Sequence, residues 1–150
     1  MLIENLTSLF SRDLDRLKAE IELYKVEENI WKVEEQIQNS AGNLCLHLVG
    51  NLNTYIGKEL GGTVYVRNRE AEFSLKNISR TELIQQIDNT IGVVSATLHA
   101  INGKNLENDY PLLVFETKVS TQYFLAHLAM HLSYHLGQVN YHRRLLDTTL

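Results

Sequence analysis

Hydrophobic residues recur at helical spacing in the first part of the chain and predict two amphipathic helices. The first covers about residues 2–25, and the second begins at the Asn39-Ser40 capping signal and ends at Gly61-Gly62. Charged residues fill the positions between the apolar ones of the first helix, as expected for a helix with one buried face. The apolar stripe of the first helix consists of Leu6, Phe10, Leu14, Leu17, Ile21 and Tyr24, and that of the second includes Leu44, Leu48, Leu52 and Tyr55.

The second half of the chain carries two more helical patterns. Ser79-Arg-Thr-Glu82 is a capping-box sequence, and the apolar stripe after it ends at the Asn102-Gly103 stop. A fourth helix is predicted from about 117 to 147, roughly 45 Å long at 1.5 Å per residue. Four long amphipathic helices predict an all-α fold, a four-helix bundle, with residues 1–150 as one domain. The stripe of the third helix is Ile84, Ile87, Ile91, Val94, Leu98 and Ile101.

The segments between the helices are less regular. Residues 26–38 around Trp31 tolerate a helix, but their hydrophobic periodicity is poor. Thr63–Val66 has the composition of a short strand, and Tyr110–Phe115 is a second run that can pair with it. We therefore expect a minor, short β-hairpin between helices.

The charge distribution argues against a nucleic-acid partner. The formal net charge is −4, and all of it lies in residues 1–40, which hold nine acidic and five basic side chains. The chain has no stripe of lysine and arginine that would neutralise phosphates. It also has no run of roughly 20 apolar residues and no signal-like start. With the single Cys45, which excludes an intramolecular disulfide, these features predict a cytoplasmic protein without a membrane partner.

Three histidines follow one another at steps of four in the fourth predicted helix: His127, His131 and His135. A step of four is about 400° around an α-helix, so the three imidazoles lie on nearly one face. Imidazole is the commonest protein ligand of transition metals. His127 and His135 are about 12 Å apart along the axis, so one ion takes an adjacent pair. That pair is His127/His131 or His131/His135, and the spacing leaves both open.

A further ligand has to come from another helix. His47 is the natural candidate because, between Leu46 and Leu48, a charged side chain is costly and a neutral, coordinated imidazole is tolerated. His99, near the end of the third helix, is a weaker candidate. Cys45 is about 200° around the helix from His47 and is interpreted as a core residue. Because the metalloprotease motif and the glutamates of a di-iron bundle are missing, we expect a mononuclear, histidine-rich site.

Four motifs occur in a characteristic order along the chain. They are Asn39-Ser40, His47-Leu-Val-Gly-Asn51, Arg67-Asn-Arg-Glu70-x-Glu-Phe73, and His131-x-x-x-His135-x-Gly-Gln138. In this order they resemble the DinB/YfiT-like superfamily of metalloenzymes, and more narrowly a bacterial subfamily of unknown function. The resemblance covers about residues 20–145. It implies a four-helix bundle with an up-down-down-up connection, often dimeric.

The resemblance also implies a ligand set and a type of chemistry. It assigns the metal to His47, His131 and His135 and places His127 one turn outside the ligands. The ion is then zinc or nickel, with manganese or iron as alternatives. Characterised relatives include transferases and isomerases that use low-molecular-weight thiols such as bacillithiol or mycothiol. This chain differs from some of them, which have a glutamate at the position of His131.

Three polar residues near the histidines are candidates to support the metal or to bind a substrate. Asn51 lies one turn beyond His47 and either orients a ligand or is an exposed or capping amide. Tyr134 and Gln138 lie beside and one turn past His135, where either can support the ligands.

Two arginines in the loop after the second helix have two interpretations. Arg67 and Arg69 can bind an anionic substrate group through bidentate hydrogen bonds. In the interpretation that we favour, they pair with Glu70 and Glu72 and fix the loop to the bundle.

Two functions from different classes remain open. Three neutral imidazoles leave a divalent ion its full charge and an open position. The leading hypothesis is therefore a metal-dependent enzyme that activates a thiol or water against a small electrophilic substrate, as a thiol transferase or hydrolase. The alternative is a non-catalytic bundle, dimeric and stabilised by its metal. The long apolar stripes are compatible with a homodimer but do not distinguish a core from an interface.

Overall fold

A computed structural model describes residues 2–149 and confirms the all-α fold class. Most of this range lies in helices, and the longer ones coincide with the four predicted from the apolar periodicity. The helices of the described residues are α1 (Leu2–Glu22), a 3₁₀ turn (Glu27–Trp31), α2 (Ala41–Leu52), a π-helical continuation of α2 (Asn53–Lys58), α3 (Arg69–Ser74), α4 (Arg80–Ala100) and α5 (Thr121–Leu146).

Serine caps set the starts of three long helices. The side chains of Ser40, Ser79 and Ser120 accept hydrogen bonds from backbone N–H groups at the starts of α2, α4 and α5. Because Ser120 is the cap, α5 begins at Thr121 and not near residue 117 as predicted. Gly62 follows the π-helical segment with φ 71°, a conformation that glycine adopts without strain, so the predicted stop is confirmed.

The expected β-hairpin is wrong. No strand forms within residues 2–149, and Val64 is 95 % exposed, so its side chain gains no packing from a strand partner. Tyr110 is held in other ways. Its N–H donates to the Val119 carbonyl at 2.9 Å, and its hydroxyl donates to the Tyr55 carbonyl at 2.7 Å. The segment therefore docks on the π-helical end of α2 and does not pair with Thr63–Val66.

The core lies around α2, all of whose residues are buried. Cys45 is fully buried, and burial raises the pKa of its thiol to about 12, so the interpretation as a core residue is confirmed. The predicted stripes of α1 and α2 also face this core, and those of α4 are buried or partly buried. None of the helices within the described range is long and apolar enough to cross a membrane.

The long helices pack in four pairs, in which α1 and α2 each contact both α4 and α5. Ion pairs give the direction of α1. Lys18 pairs with Asp88 at 2.9 Å, near the middle of α4, and Glu20 pairs with Arg143 at 2.7 Å, near the end of α5. Because Arg80, at the start of α4, donates to the carbonyls of Glu22 and Tyr24 at the end of α1 and just after it, α1 is antiparallel to α4.

A buried polar pair joins the end of α1 to the end of α5. The hydroxyl of Tyr24 donates to Nδ1 of His142 at 2.6 Å, because Nε2 of His142 donates to the Lys32 carbonyl at 2.8 Å. Burial lowers the pKa of His142 below its ordinary value.

Protonation of His142 is expected to destabilise the folded protein. The unfolded chain binds this proton at about pH 6.5, whereas the folded chain binds it at a lower pH. The stability that neutral His142 contributes is therefore fully present above about pH 6.5 and is lost as the pH falls through the folded pKa. Urea unfolding in chelator between about pH 7.5 and 5 measures this loss. His142→Gln should give a shallower decline than the wild type; equal declines would show that His142 does not carry the effect.

Candidate metal centre

Three histidines from two helices converge at the junction of α2 and α5. His47 comes from α2, and His131 and His135 come from α5. Nε2 of His131 lies 3.2 Å from Nε2 of His47 and 3.1 Å from Nε2 of His135. All three rings offer a nitrogen within 4.8 Å of the others. His47 is buried and the other two are half-buried, so the cluster is accessible from one side.

The structure distinguishes between the two histidine pairs that the spacing allows, His127/His131 and His131/His135. The ring centroids of His131 and His135 are 4.5 Å apart, whereas those of His127 and His131 are 6.4 Å apart and the rings are stacked. His127 is exposed and lies against Phe124, with the two rings nearly parallel at 5.8 Å. His99 is also exposed and is not part of the cluster.

Hydrogen bonds hold the outer nitrogens of two of the rings. Nδ1 of His47 lies 3.0 Å from a carboxylate oxygen of Glu72, and Nδ1 of His135 lies 2.6 Å from the amide oxygen of Gln138. Both oxygens are acceptors, so each Nδ1 carries the proton and donates it. Each Nε2 is then left with a lone pair that faces the cluster, which is the tautomer that metal binding requires.

Glu72 is the residue of this site that the sequence reasoning did not identify. Its carboxylate also accepts two hydrogen bonds from Arg67, at 2.7 Å from Nε and 2.8 Å from Nη2. Burial would raise the pKa of Glu72, but the hydrogen bonds from Arg67 and His47 outweigh it, and the pKa lies below its ordinary value. Glu72 is therefore ionised at neutral pH, and its charge stabilises a cation bound to His47.

The short helix α3 and a glycine position this carboxylate. Asn68 caps α3 by accepting a hydrogen bond from the backbone N–H of Ala71 at 3.0 Å, and this helix carries Glu72 toward α2. A methyl group at Gly50 would overlap the Glu72 carboxylate. Glycine at this position therefore lets the carboxylate approach the backbone of α2 next to His47.

His131 is neutral and incompletely satisfied. Burial, together with the neighbouring His135 and His47, lowers the pKa of His131 to about 4. Its Nδ1 is buried and has no hydrogen-bond partner among residues 2–149. The Nε2 lone pairs of both His47 and His135 face its Nε2, and a single proton there cannot satisfy both. Two nitrogen ligands at 2.0–2.1 Å from one ion are about 2.8–3.4 Å apart at octahedral or tetrahedral angles. The separations of His131 from His47 and from His135 fall in this range, and all three rings offer nitrogens within 4.8 Å of one another, so the residues present fit a metal ion.

The two arginines have different environments. Arg67 pairs with Glu72, as the favoured interpretation predicts. Within the described residues, Arg69 forms no ion pair, and Glu70 is exposed. The expectation that both arginines pair with loop acids is therefore wrong for Arg69, which instead lines a cavity beside the histidines.

Gln138 and Asn51 both lie close to the cluster. Gln138 holds His135 and donates a long hydrogen bond, 3.4 Å, to the hydroxyl of the exposed Tyr134. Asn51 is buried and not exposed, and its amide oxygen has no hydrogen-bond partner within the described chain. Asn51 lines the same cavity as Arg69.

This cavity has a volume of about 260 Å³ and opens beside the cluster, with His47 and His131 in its wall. Its other walls are mostly aromatic or basic, so a small organic molecule can lie next to the histidines. Residues of these walls include Asn51, Tyr55, Arg69, Phe115, Phe124 and His127.

The fold and the site define an all-helical protein with a candidate three-histidine metal site. Residues 7–149 match the family described as "Protein of unknown function (DUF1572)", and the chain belongs to this family. No curated protein and no solved structure gives a significant match to the chain. The family's description specifies no activity.

Proposed function

We propose that this protein is a metal-dependent enzyme of the DinB/YfiT-like type, which binds one divalent transition ion through His47, His131 and His135. The observation that carries this proposal is the convergence of three Nε2 atoms, with Glu72 and Gln138 behind two of the rings. A carboxylate behind a ligating imidazole fixes its tautomer and raises its basicity, and this arrangement recurs in metal sites.

We also propose the up-down-down-up four-helix bundle of that superfamily. The contacts along α1 support antiparallel packing against α4 and parallel packing against α5. The contacts between the α2 segment and α5 support antiparallel packing. His47 lies near His135, and Tyr55, which is later in the chain, lies near Phe124, which is earlier in α5. These directions are those of α1 up, α2 and α4 down, and α5 up.

Three imidazole ligands favour zinc or nickel over manganese or iron, because the affinity of such a site for divalent ions is lower for manganese and iron than for nickel and zinc. When bound, such an ion supplies a Lewis acid that lowers the pKa of a thiol or water toward neutrality. Glu72 and Gln138 orient two of the ligands. The aromatic walls of the cavity hold an electrophilic substrate beside the histidines and limit its contact with bulk water.

The test of this function uses protein purified without an affinity tag and without added metal. The elements bound to it are measured first. Loss of a low-molecular-weight thiol in the presence of a chlorodinitrobenzene, and hydrolysis of nitrophenyl esters, are then followed with wild type and His135→Ala. We expect about one equivalent of transition metal per chain and acceleration of one reaction, abolished in His135→Ala. Equal rates for the two proteins would reject metal-assisted catalysis, and bound metal without turnover would favour the non-catalytic alternative.

A homodimer is part of the proposal, and a cytoplasmic location is consistent with the buried thiol of Cys45. An apolar face of α5 supports the dimer. Its members are spaced by seven and four residues, so they fall within about 60° of one another around the helix. Its residues, all more than half exposed, are Tyr123, Met130, Tyr134, Tyr141 and Leu145.

Charge introduced into this face is expected to produce a monomer. Tyr134→Glu/Tyr141→Glu would place two carboxylates in an apolar interface. Desolvation of an unpaired charge costs on the order of several kcal/mol, so the dimer should dissociate. Sedimentation velocity should show a dimer for wild type and a monomer for the double variant. Leu23→Glu, at an exposed apolar residue outside α5, is the control and should remain a dimer. A monomeric wild type would contradict the prediction.

A further inference from the structure

We infer that the cavity beside the histidine cluster binds a small, planar organic carboxylate, with Arg69 as the partner of the carboxylate group. The inference extends the proposed function. It rests on that function in one respect, because only an enzyme would use this ligand as a substrate. The binding itself depends on residues that are not metal ligands, so it can be tested separately.

The balance of charge in the cavity favours an anion. None of the described residues that line it is an aspartate or glutamate. Arg67 lines the cavity, but its charge is matched by the Glu72 carboxylate. Arg69 has no such partner within residues 2–149 and therefore contributes an unmatched positive charge. A guanidinium group binds a carboxylate through two parallel hydrogen bonds, and these are stronger than bonds between neutral groups.

The shape of the cavity favours a flat ligand. Phe124 stands at the centre of its aromatic wall, with the His127 ring nearly parallel to it and the rings of Phe115 and Tyr55 edge-on at 5.8 Å and 5.3 Å. Flat, apolar rings pack well against such surfaces. A volume of about 260 Å³ corresponds to roughly nine water molecules at about 30 Å³ each. This is the size of a single aromatic ring with one carboxylate.

Asn51 adds a requirement for a hydrogen-bond donor. Its side chain is more than nine-tenths buried and lines the cavity, and its amide oxygen has no partner in the described chain. Buried carbonyl oxygens are nearly always hydrogen-bonded, and a flip of this amide turns its oxygen toward the cavity, where an O–H or N–H group of a ligand satisfies it. The preferred carboxylate therefore also carries an O–H or N–H group on its ring or chain.

Benzoate, benzamide and inorganic phosphate are the probes that test charge and shape. Their binding to the full chain is measured by calorimetry, once with chelator and once with Zn²⁺. We expect benzoate to bind at least about tenfold more tightly than benzamide, because only benzoate is charged. Arg69→Gln should lose at least about tenfold in benzoate affinity, and Arg69→Lys should retain part of it because the charge remains. Since Arg69 is exposed, these variants leave the core intact.

Three results would overturn the inference. Benzamide that bound as tightly as benzoate would show that charge does not contribute. An Arg69→Gln variant that bound benzoate as tightly as the wild type would show that any binding occurs at the ion or elsewhere. Phosphate that bound as tightly as benzoate would show that the flat walls do not select the ligand.

The role of Asn51 is tested with 3- and 4-hydroxybenzoate. One of them should bind about two- to tenfold more tightly than benzoate, the gain expected from one hydrogen bond, and Asn51→Ala should remove the difference. An advantage that persists in Asn51→Ala would reject this assignment.

Benzoate binding that depends on Arg69 in protein that takes up no metal would support the inference while the proposed function failed. Bound metal without benzoate binding would contradict the inference and leave the proposed metal site standing.

Discussion

Replacement of His131 by alanine is expected to lower the affinity for a divalent transition ion by at least about 100-fold. Loss of a residue behind a ligand costs about 10–100-fold, and His131 is the ring whose Nε2 lies near both other Nε2 atoms. Calorimetric titration of chelator-treated, untagged protein with Zn²⁺ or Ni²⁺ measures the change. A wild-type site should take about one equivalent per chain.

The same substitution should also remove the stabilisation of the folded protein by the metal ion. An ion present at about 100 times its dissociation constant stabilises the wild type by about 2.7 kcal/mol, and this gain should be absent in His131→Ala. His127→Ala is the matched control, because His127 belongs to the same helix face but lies outside the cluster. Metal affinity that fell in His127→Ala and not in His131→Ala would contradict the assignment of the ligands.

Glu72→Gln is expected to weaken metal binding by about 10–100-fold without removing a ligand. The amide keeps the size of the side chain but loses the charge that fixes the proton on Nδ1 of His47. It also leaves the half-buried Arg67 without its anionic partner, so the free energy of unfolding should fall as well. Titration with Zn²⁺ and urea unfolding in chelator measure the two effects.

Two further variants make the Glu72 prediction specific. Glu70→Gln removes an exposed acid from the same short helix and should leave metal affinity unchanged. Gly50→Ala should weaken binding through a different route, because the added methyl group displaces the Glu72 carboxylate from the side of α2. Wild-type affinity in both Glu72→Gln and Gly50→Ala would show that this carboxylate does not support the site.

The long helices and the residues of the cluster could be predicted because both depend on local signals. Apolar periodicity identified the buried faces of α1 and α4, and serine caps placed the starts of α2 and α4. His131 and His135 are four residues apart, so an α-helix alone brings them together. His47 could be proposed from its apolar neighbours, whereas its short distance from the histidines of α5 depends on how the helices pack.

Glu72 and the extended loop depend on tertiary contacts that the sequence does not reveal. Glu72 reaches His47 across 25 positions of the chain, and only the short helix after Asn68 directs it there. The Asn68 cap was a usable signal for α3, but it does not specify which acid faces α2. Thr63–Val66 has the composition of a strand, yet Tyr110 is anchored to Tyr55, so no partner is in place.

The two arginines illustrate the same limit. Arg67 and Arg69 are two positions apart, and the sequence assigns them the same alternatives. In the folded chain, Arg67 neutralises Glu72 and Arg69 remains without an ion pair in the described residues. Only this difference identifies which of the two is available to a ligand.

Anomalous diffraction from crystals of untagged protein, recorded at the absorption edge of the metal found by elemental analysis, shows directly which side chains bind the ion. We predict one strong peak at about 2.0–2.1 Å from Nε2 of His47, His131 and His135. Absence of a peak among these nitrogens, or a peak at His99 or another surface histidine instead, would contradict the account.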